Sequence, residues 1–160
     1  MVKRSIEKHL KSLARQYPVV TMTGPRQSGK TTICKSVFKN KPYISFETPD
    51  TREFAMDDPR GFLKKYYKSG AVFDEIQRVP DLPSYLQGIV DERKQPGQYI
   101  LTGSQQFSVI DSVNQSLAGR TALLKLLPFS VEELETQAKK RYSINDFLYR
   151  GFFREFMIRS

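Results

Sequence analysis

The chain is poor in the residues that staple small proteins or bind metals. Of its 160 residues one is cysteine, Cys34, and one is histidine, His9. A single thiol excludes an internal disulfide and makes a reducing compartment the default, so the expected location is the cytoplasm. His9 stands on a predicted helix with nothing beside it that makes it catalytic or metal-binding. No window approaches the roughly 18 apolar residues of a membrane span. The opening MVKRSIEKHL carries charge but lacks the apolar stretch of a signal peptide. Internal repeats and low-complexity linkers are also absent. Negative charge is scarce at the start: residues 1–41 hold ten Lys/Arg and one acid, Glu7. The other 119 residues hold 16 of each sign, so the net charge of +9 originates in the first quarter. An anionic partner near that quarter is the natural inference, with a solvated basic surface as the plainer alternative.

A hydrophobic fraction of 39% with 12% aromatics suffices for one globular domain. Ile6, Leu10, Leu13, Ala14 and Tyr17 recur at helical spacing, so 4–16 reads as an amphipathic helix. Arg4, Lys8, Lys11 and Arg15 fall on its opposite face. Strands are predicted at 17–23, 43–48, 70–75, 97–104 and 122–128. Helices are predicted over 30–40, 50–69 with a break at Pro59, 82–90, 107–117 and 130–140. The last opens with a capping box from Ser130 to Glu133. Strands alternating with helices indicate an α/β fold with a doubly wound, five-stranded parallel sheet.

The stretch GPRQSGKTT, residues 24–32, lies between a predicted strand and a predicted helix. It matches G-x-x-x-x-G-K-[ST], the phosphate loop of P-loop NTPases. Glycines let the backbone turn tightly, so successive N–H groups point at phosphate oxygens. The helix N-terminus adds about half a positive charge. The expected phosphate-binding set is Gly24, Pro25, Arg26, Gln27, Ser28, Gly29, Lys30, Thr31 and Thr32. Lys30 would neutralise the β- and γ-phosphates, and Thr31 would ligate Mg²⁺.

The acid such a site requires stands in AVFDE. Asp74 ends an apolar strand, where it can hold Mg²⁺ through water. Glu75 follows and can orient and deprotonate a water facing the γ-phosphate. YILTGS can set Thr102 or Ser104 between Glu75 and that phosphate. A glutamate after the aspartate points to the ATPase branch, in which an extra strand separates the loop strand from the acid strand; YILTGS is the candidate. Arg120, in SLAGRTALLKL, can act as a finger on a γ-phosphate of its own or a neighbouring chain, or sit at the surface. Gln77 can tie the acid loop to nucleic acid or to the next strand, or be a plain exposed glutamine. Cys34 reads as a buried small hydrophobe.

Together TGPRQSGKTT, FDEIQRVPDLPSYLQGIVDE and YILTGSQQFSVIDSVNQSLAGRTALLKLLPFSVEEL resemble the prokaryotic AAA-type ATPases of the AAA_14 class, which carry a DUF4143 C-terminal domain. The resemblance runs in order from about residue 3 to 155. It implies an AAA/ASCE-type ATPase domain over 1–140, including the N-terminal helix 1–16. It also implies Walker A roles for Lys30 and Thr31, Walker B roles for Asp74 and Glu75, and a sensor-like Ser104. Family members continue through a winged-helix-like region, so 141–160 reads as a short helical stub of it. Phe152 and Arg154 stand where the family tends to have glycine and proline. The expected activity is ATP hydrolysis with ATP and Mg²⁺ bound, and a homo-oligomer is a possible assembly. The alternative is a nucleic-acid-binding module switched by nucleotide, with DNA held by the basic first quarter. A kinase fits less well, because no arginine-rich lid is evident. No guanine-reading NKxD occurs.

Overall fold

The computed structural model describes residues 4–104, 111, 113, 115–130 and 133. Five strands, β1 (Val19–Gly24), β2 (Tyr43–Ser45), β3 (Ala71–Asp74), β4 (Tyr99–Ser104) and β5 (Thr121–Lys125), form one sheet in the order β2-β3-β4-β1-β5. Each pairing is parallel. All six residues of β1 and all four of β3 are buried, as parallel strands covered on both faces require. β4 lies between the loop strand and the acid strand, the position expected for YILTGS.

Helices cover both faces. On one, α1 (Ile6–Gln16) and α2 (Lys30–Val37) set Leu10, Ile33 and Cys34 against Val20, Met22, Ile100 and Leu124. On the other, α3 (Pro49–Asp57), α4 (Pro59–Lys64) and α5 (Leu82–Arg93) bring Ala55, Phe62, Leu63, Leu82, Leu86 and Val90 onto Val19, Phe73, Tyr99 and Leu101. Phe73 stacks on Tyr99 with ring centroids 5.7 Å apart, so β3 and β4 are fastened through side chains on this face as well as through their backbones. Each buried side chain of this size stabilises by about 1.5–3 kcal/mol.

The break at Pro59 is real. α3 ends at Asp57, and the Asp58 carboxylate accepts from the Gly61 N–H at 2.9 Å to start α4. Proline at the first helical position loses no hydrogen bond there. The strand predicted at 43–48 is shorter because the chain turns after Ser45. In the predicted helix 107–117, residues 111, 113 and 115–117 are helical. The capping box forms: the Glu133 N–H donates to Ser130 Oγ and the Ser130 N–H to Glu133 Oε2, both at 3.1 Å. The stub 141–160 lies outside the described residues. Among the described residues no helix is long and apolar enough to cross a membrane.

Candidate nucleotide site

β1 delivers the chain to Gly24 at the C-terminal edge of the sheet, and α2 carries it away from Lys30. A Cβ on Gly24 would lie 2.2 Å from the Leu126 carbonyl oxygen, so no larger residue lets the chain leave the sheet there. Gly29 takes φ 93, a left-handed conformation that glycine adopts without steric cost. Arg26, Gln27, Gly29, Lys30, Thr31, Thr32, Glu47, Asp74 and Glu75 line a cleft of about 410 Å³. The first turn of α2 forms one wall, and a helix N-terminus favours an anion.

Lys30 is 6% exposed and folds back over the loop. Its ammonium donates to the carbonyl oxygens of Gly24 at 2.8 Å and Pro25 at 2.9 Å. Burial pulls its pKa below the ordinary value, while the Glu75 and Asp74 carboxylates act in the opposite direction. The site therefore holds a desolvated cation whose charge a phosphate would compensate.

Asp74 is 5% exposed at the end of β3. The Tyr43 hydroxyl donates to its Oδ2, the Thr31 hydroxyl donates to the same oxygen at 3.1 Å, and the Thr102 hydroxyl donates to its Oδ1. Helix α2 and strands β2 and β4 thus each supply an O–H to one carboxylate. Burial, then Asp74, push the Tyr43 phenol well up, so it remains a donor. Glu75 turns the chain with φ 59 into the short 3₁₀ turn Ile76–Arg78. The Gln77 amide donates to Glu75 Oε2 and, at 3.1 Å, to Ser104 Oγ. Gln77 thereby ties the acid loop to the neighbouring strand, one of the expected readings, and is not a plain exposed glutamine.

The structure brings Lys30, Thr31, Asp74, Glu75 and Ser104 together, with Ser104 in register opposite Gly24. Two placements differ from expectation. Arg120 is at the other end of the sheet, where its carbonyl accepts from the Val19 N–H at 3.2 Å. Gly24 is the far end of that six-residue strand, about 16 Å away at ~3.3 Å per residue. The Arg120 guanidinium pairs at the surface with Asp91, with Nη2 to Oδ2 at 2.8 Å. It therefore does not reach its own chain's loop. Arg4 is not on the exposed basic face either. It precedes α1, is 6% exposed, and donates to the Ser28 carbonyl at 3.1 Å. The exposed basic residues of α1 are Lys8, Lys11 and Arg15. Tyr43 and Glu47 escaped sequence reasoning, since only the strand order brings them to the site.

A family model of the AAA domain, AAA_14, matches residues 16–135. The chain belongs to this AAA family. Relatives of this AAA domain include the uncharacterized proteins Rv2008c of Mycobacterium tuberculosis and Mb2031c of Mycobacterium bovis. Each is 33% identical over 141 residues, 87% of this chain and 32% of theirs. The chain thus spans about a third of the length of the curated relatives it matches. The AAA fold is shared with the Walker-type ATPase of Pyrococcus abyssi, at TM-score 0.59 and 16% identity, covering 96% of this chain and 64% of that one. It is shared too with domain III of the Thermotoga maritima replication initiation protein DnaA, at TM-score 0.57 and 17% identity over 87% and 70% of the two chains. AMPPCP-bound DnaA from Aquifex aeolicus matches at TM-score 0.57 and 13% identity over 95% and 56%. Membership of the AAA family supports nucleotide binding by this domain, and the solved structures show its fold.

Proposed function

We propose that the cleft binds ATP with Mg²⁺ and hydrolyses it to ADP and phosphate. The observation that carries this reading is the convergence of Lys30, Thr31 and Asp74 on one cleft, with the Thr31 hydroxyl 3.1 Å from the Asp74 carboxylate. These are hard oxygen donors on either side of an anion-binding loop, and they fit Mg²⁺, which takes few protein ligands beside phosphates. Thr31 and Asp74 would hold the ion, which would neutralise phosphate charge when bound.

The chain's own residues supply the rest. Loop N–H groups and Lys30 orient the triphosphate and balance its charge. Glu75 accepts a proton from water at Oε1, its other oxygen being held by Gln77. The water oxygen bonds to the γ-phosphorus as the bond to the ADP oxygen breaks. Gln77 and Ser104 fix where Glu75 stands. Arg120 enters this proposal only as a residue presented to a neighbouring copy. Lys30→Ala is expected to abolish binding of ATP in an equilibrium titration; unchanged affinity would refute the site.

A second reading rests on Lys8, Lys11 and Arg15, spaced three and four apart and exposed along α1. They form a strip suited to phosphates, so α1 would hold DNA while the cleft responds to nucleotide. The likeness to replication initiators is one of fold only.

A further inference from the structure

Arg4 has no part in either reading, yet it is a buried cation with an unusual set of partners. Nη1 donates to the Ser28 carbonyl in the loop at 3.1 Å. Nη2 donates to the carbonyls of Leu127 at 2.8 Å and Pro128 at 3.3 Å. Nε donates to Glu133 at 3.2 Å, and the guanidinium lies 4.3 Å from the centre of the Phe129 ring. Glu133 also accepts from the N–H and the hydroxyl of Ser5, both at 2.9 Å. Burial pushes the Glu133 carboxyl up, but the bonds from Ser5 and Ser130 and the charge of Arg4 outweigh it and hold it below the ordinary value. One planar fork thus joins the loop to the stretch that follows β5.

That stretch touches the loop at its other end as well. The Leu126 N–H donates to the Thr23 carbonyl at 2.7 Å, and the Leu126 carbonyl sits where a Gly24 side chain would be. Residues 126–128 therefore bear on the loop at Gly24 directly and at Ser28 through Arg4. The geometry of a trans peptide gives this contact a consequence. The carbonyl of Ser28 and the N–H of Gly29 point in opposite directions. Drawing the Ser28 oxygen toward Arg4 aims the Gly29 N–H the other way, and Gly29 lines the cleft where Arg4 does not. Among the described residues the buried Ser28 hydroxyl has no partner, so the contact that orients this peptide there is the one to Arg4.

We propose that Arg4 is a positioning residue that couples nucleotide occupancy of the loop to the placement of residues 126–130 and Glu133. Bound phosphate favours the loop polarity that Arg4 favours. Arg4 keeps that polarity only while the carbonyls of 127 and 128 and the Glu133 carboxylate remain in reach. By linkage, moving that stretch weakens nucleotide and nucleotide fixes that stretch. This rests on the nucleotide reading and adds regulation to it.

The test uses the 160-residue chain with Mg²⁺ and AMPPCP, reading affinity by calorimetry and amide hydrogen exchange by mass spectrometry. In the wild type, saturating AMPPCP is expected to slow exchange at 126–130. Arg4→Gln should weaken AMPPCP about 5- to 20-fold and erase that protection. Glu133→Gln, which touches no loop residue, should weaken it about 5-fold and reduce the protection. This variant carries the test if Arg4→Gln does not fold. Wild-type affinity in Glu133→Gln, or binding by the wild type without protection at 126–130, overturns the coupling alone. Absence of binding by the wild type overturns the nucleotide reading and the coupling with it.

Discussion

Replacing Thr102 by valine probes the site at its most enclosed point. Thr102 is fully buried, and its hydroxyl donates to Asp74 Oδ1, which lies inside a 5% exposed residue. Valine fills nearly the same volume, so no cavity arises and only the donor is lost. A hydrogen bond to a charged group contributes about 1.5–3 kcal/mol net, and water cannot replace it here. A loss of about 2 kcal/mol lowers Tm by about 4–8 °C in a chain of this size. The carboxylate then keeps its two donors on Oδ2, Thr31 and Tyr43, but nothing fixes Oδ1, so its orientation toward an ion beside Thr31 is no longer set. Nucleotide affinity should therefore fall more with Mg²⁺ than without it, since Lys30 is untouched. Urea titration of the free protein and AMPPCP titration with Mg²⁺ or EDTA read both effects. Thr102→Ser keeps the hydroxyl and should retain most of the Mg²⁺ dependence. A valine variant as stable as wild type, or an affinity loss equal with and without Mg²⁺, would refute the reasoning.

Glu75→Gln should bind AMPPCP as the wild type does while phosphate release slows roughly 10²–10⁴-fold; equal turnover removes Glu75 as the base. Burial pushes the Cys34 thiol up to about 12 from 9.0. A thiol raised on folding costs nothing below the unfolded value and destabilises as pH rises above it. Between pH 8 and pH 10 the cost is about 1.4 kcal/mol. Cys34→Ala should therefore lose less stability than wild type over that interval in urea titrations, and equal losses would contradict the burial. If Lys8, Lys11 and Arg15 hold DNA, log affinity against log salt should slope near −2.7. A flat slope, or no binding, ends that reading. A slope near −3.6 would require Arg4 to leave its internal partners.

The local parts of the site were legible because each is written contiguously. A strand, two glycines, a lysine and a helix follow one another, and Asp74 stands at the end of an apolar run. The capping box at Ser130 and the break at Pro59 are likewise short-range signals. Arg4 and Tyr43 were not legible, because their partners lie 24 to 129 and 31 positions away and meet only through the sheet order. Helical periodicity counted Arg4 into α1, but the helix begins at Ile6 and leaves Arg4 to turn inward. Arg120 was deducible in principle. In a parallel sheet a residue just before a strand stands opposite to the ends where β1 and β3 deliver Gly24 and Asp74.

The seat of β4 between β1 and β3 also dictates when this protein can come into being on the ribosome. Until residue 104 has emerged, the nascent chain holds a β1 with no partner from β4, and β2–β3 remains a separate pair. Both have open, apolar edges of the kind that recruit other chains. The loop and Asp74 are then synthesised but unable to meet. Pairing of β4 with both neighbours is therefore what closes these two edges and lets the loop meet Asp74.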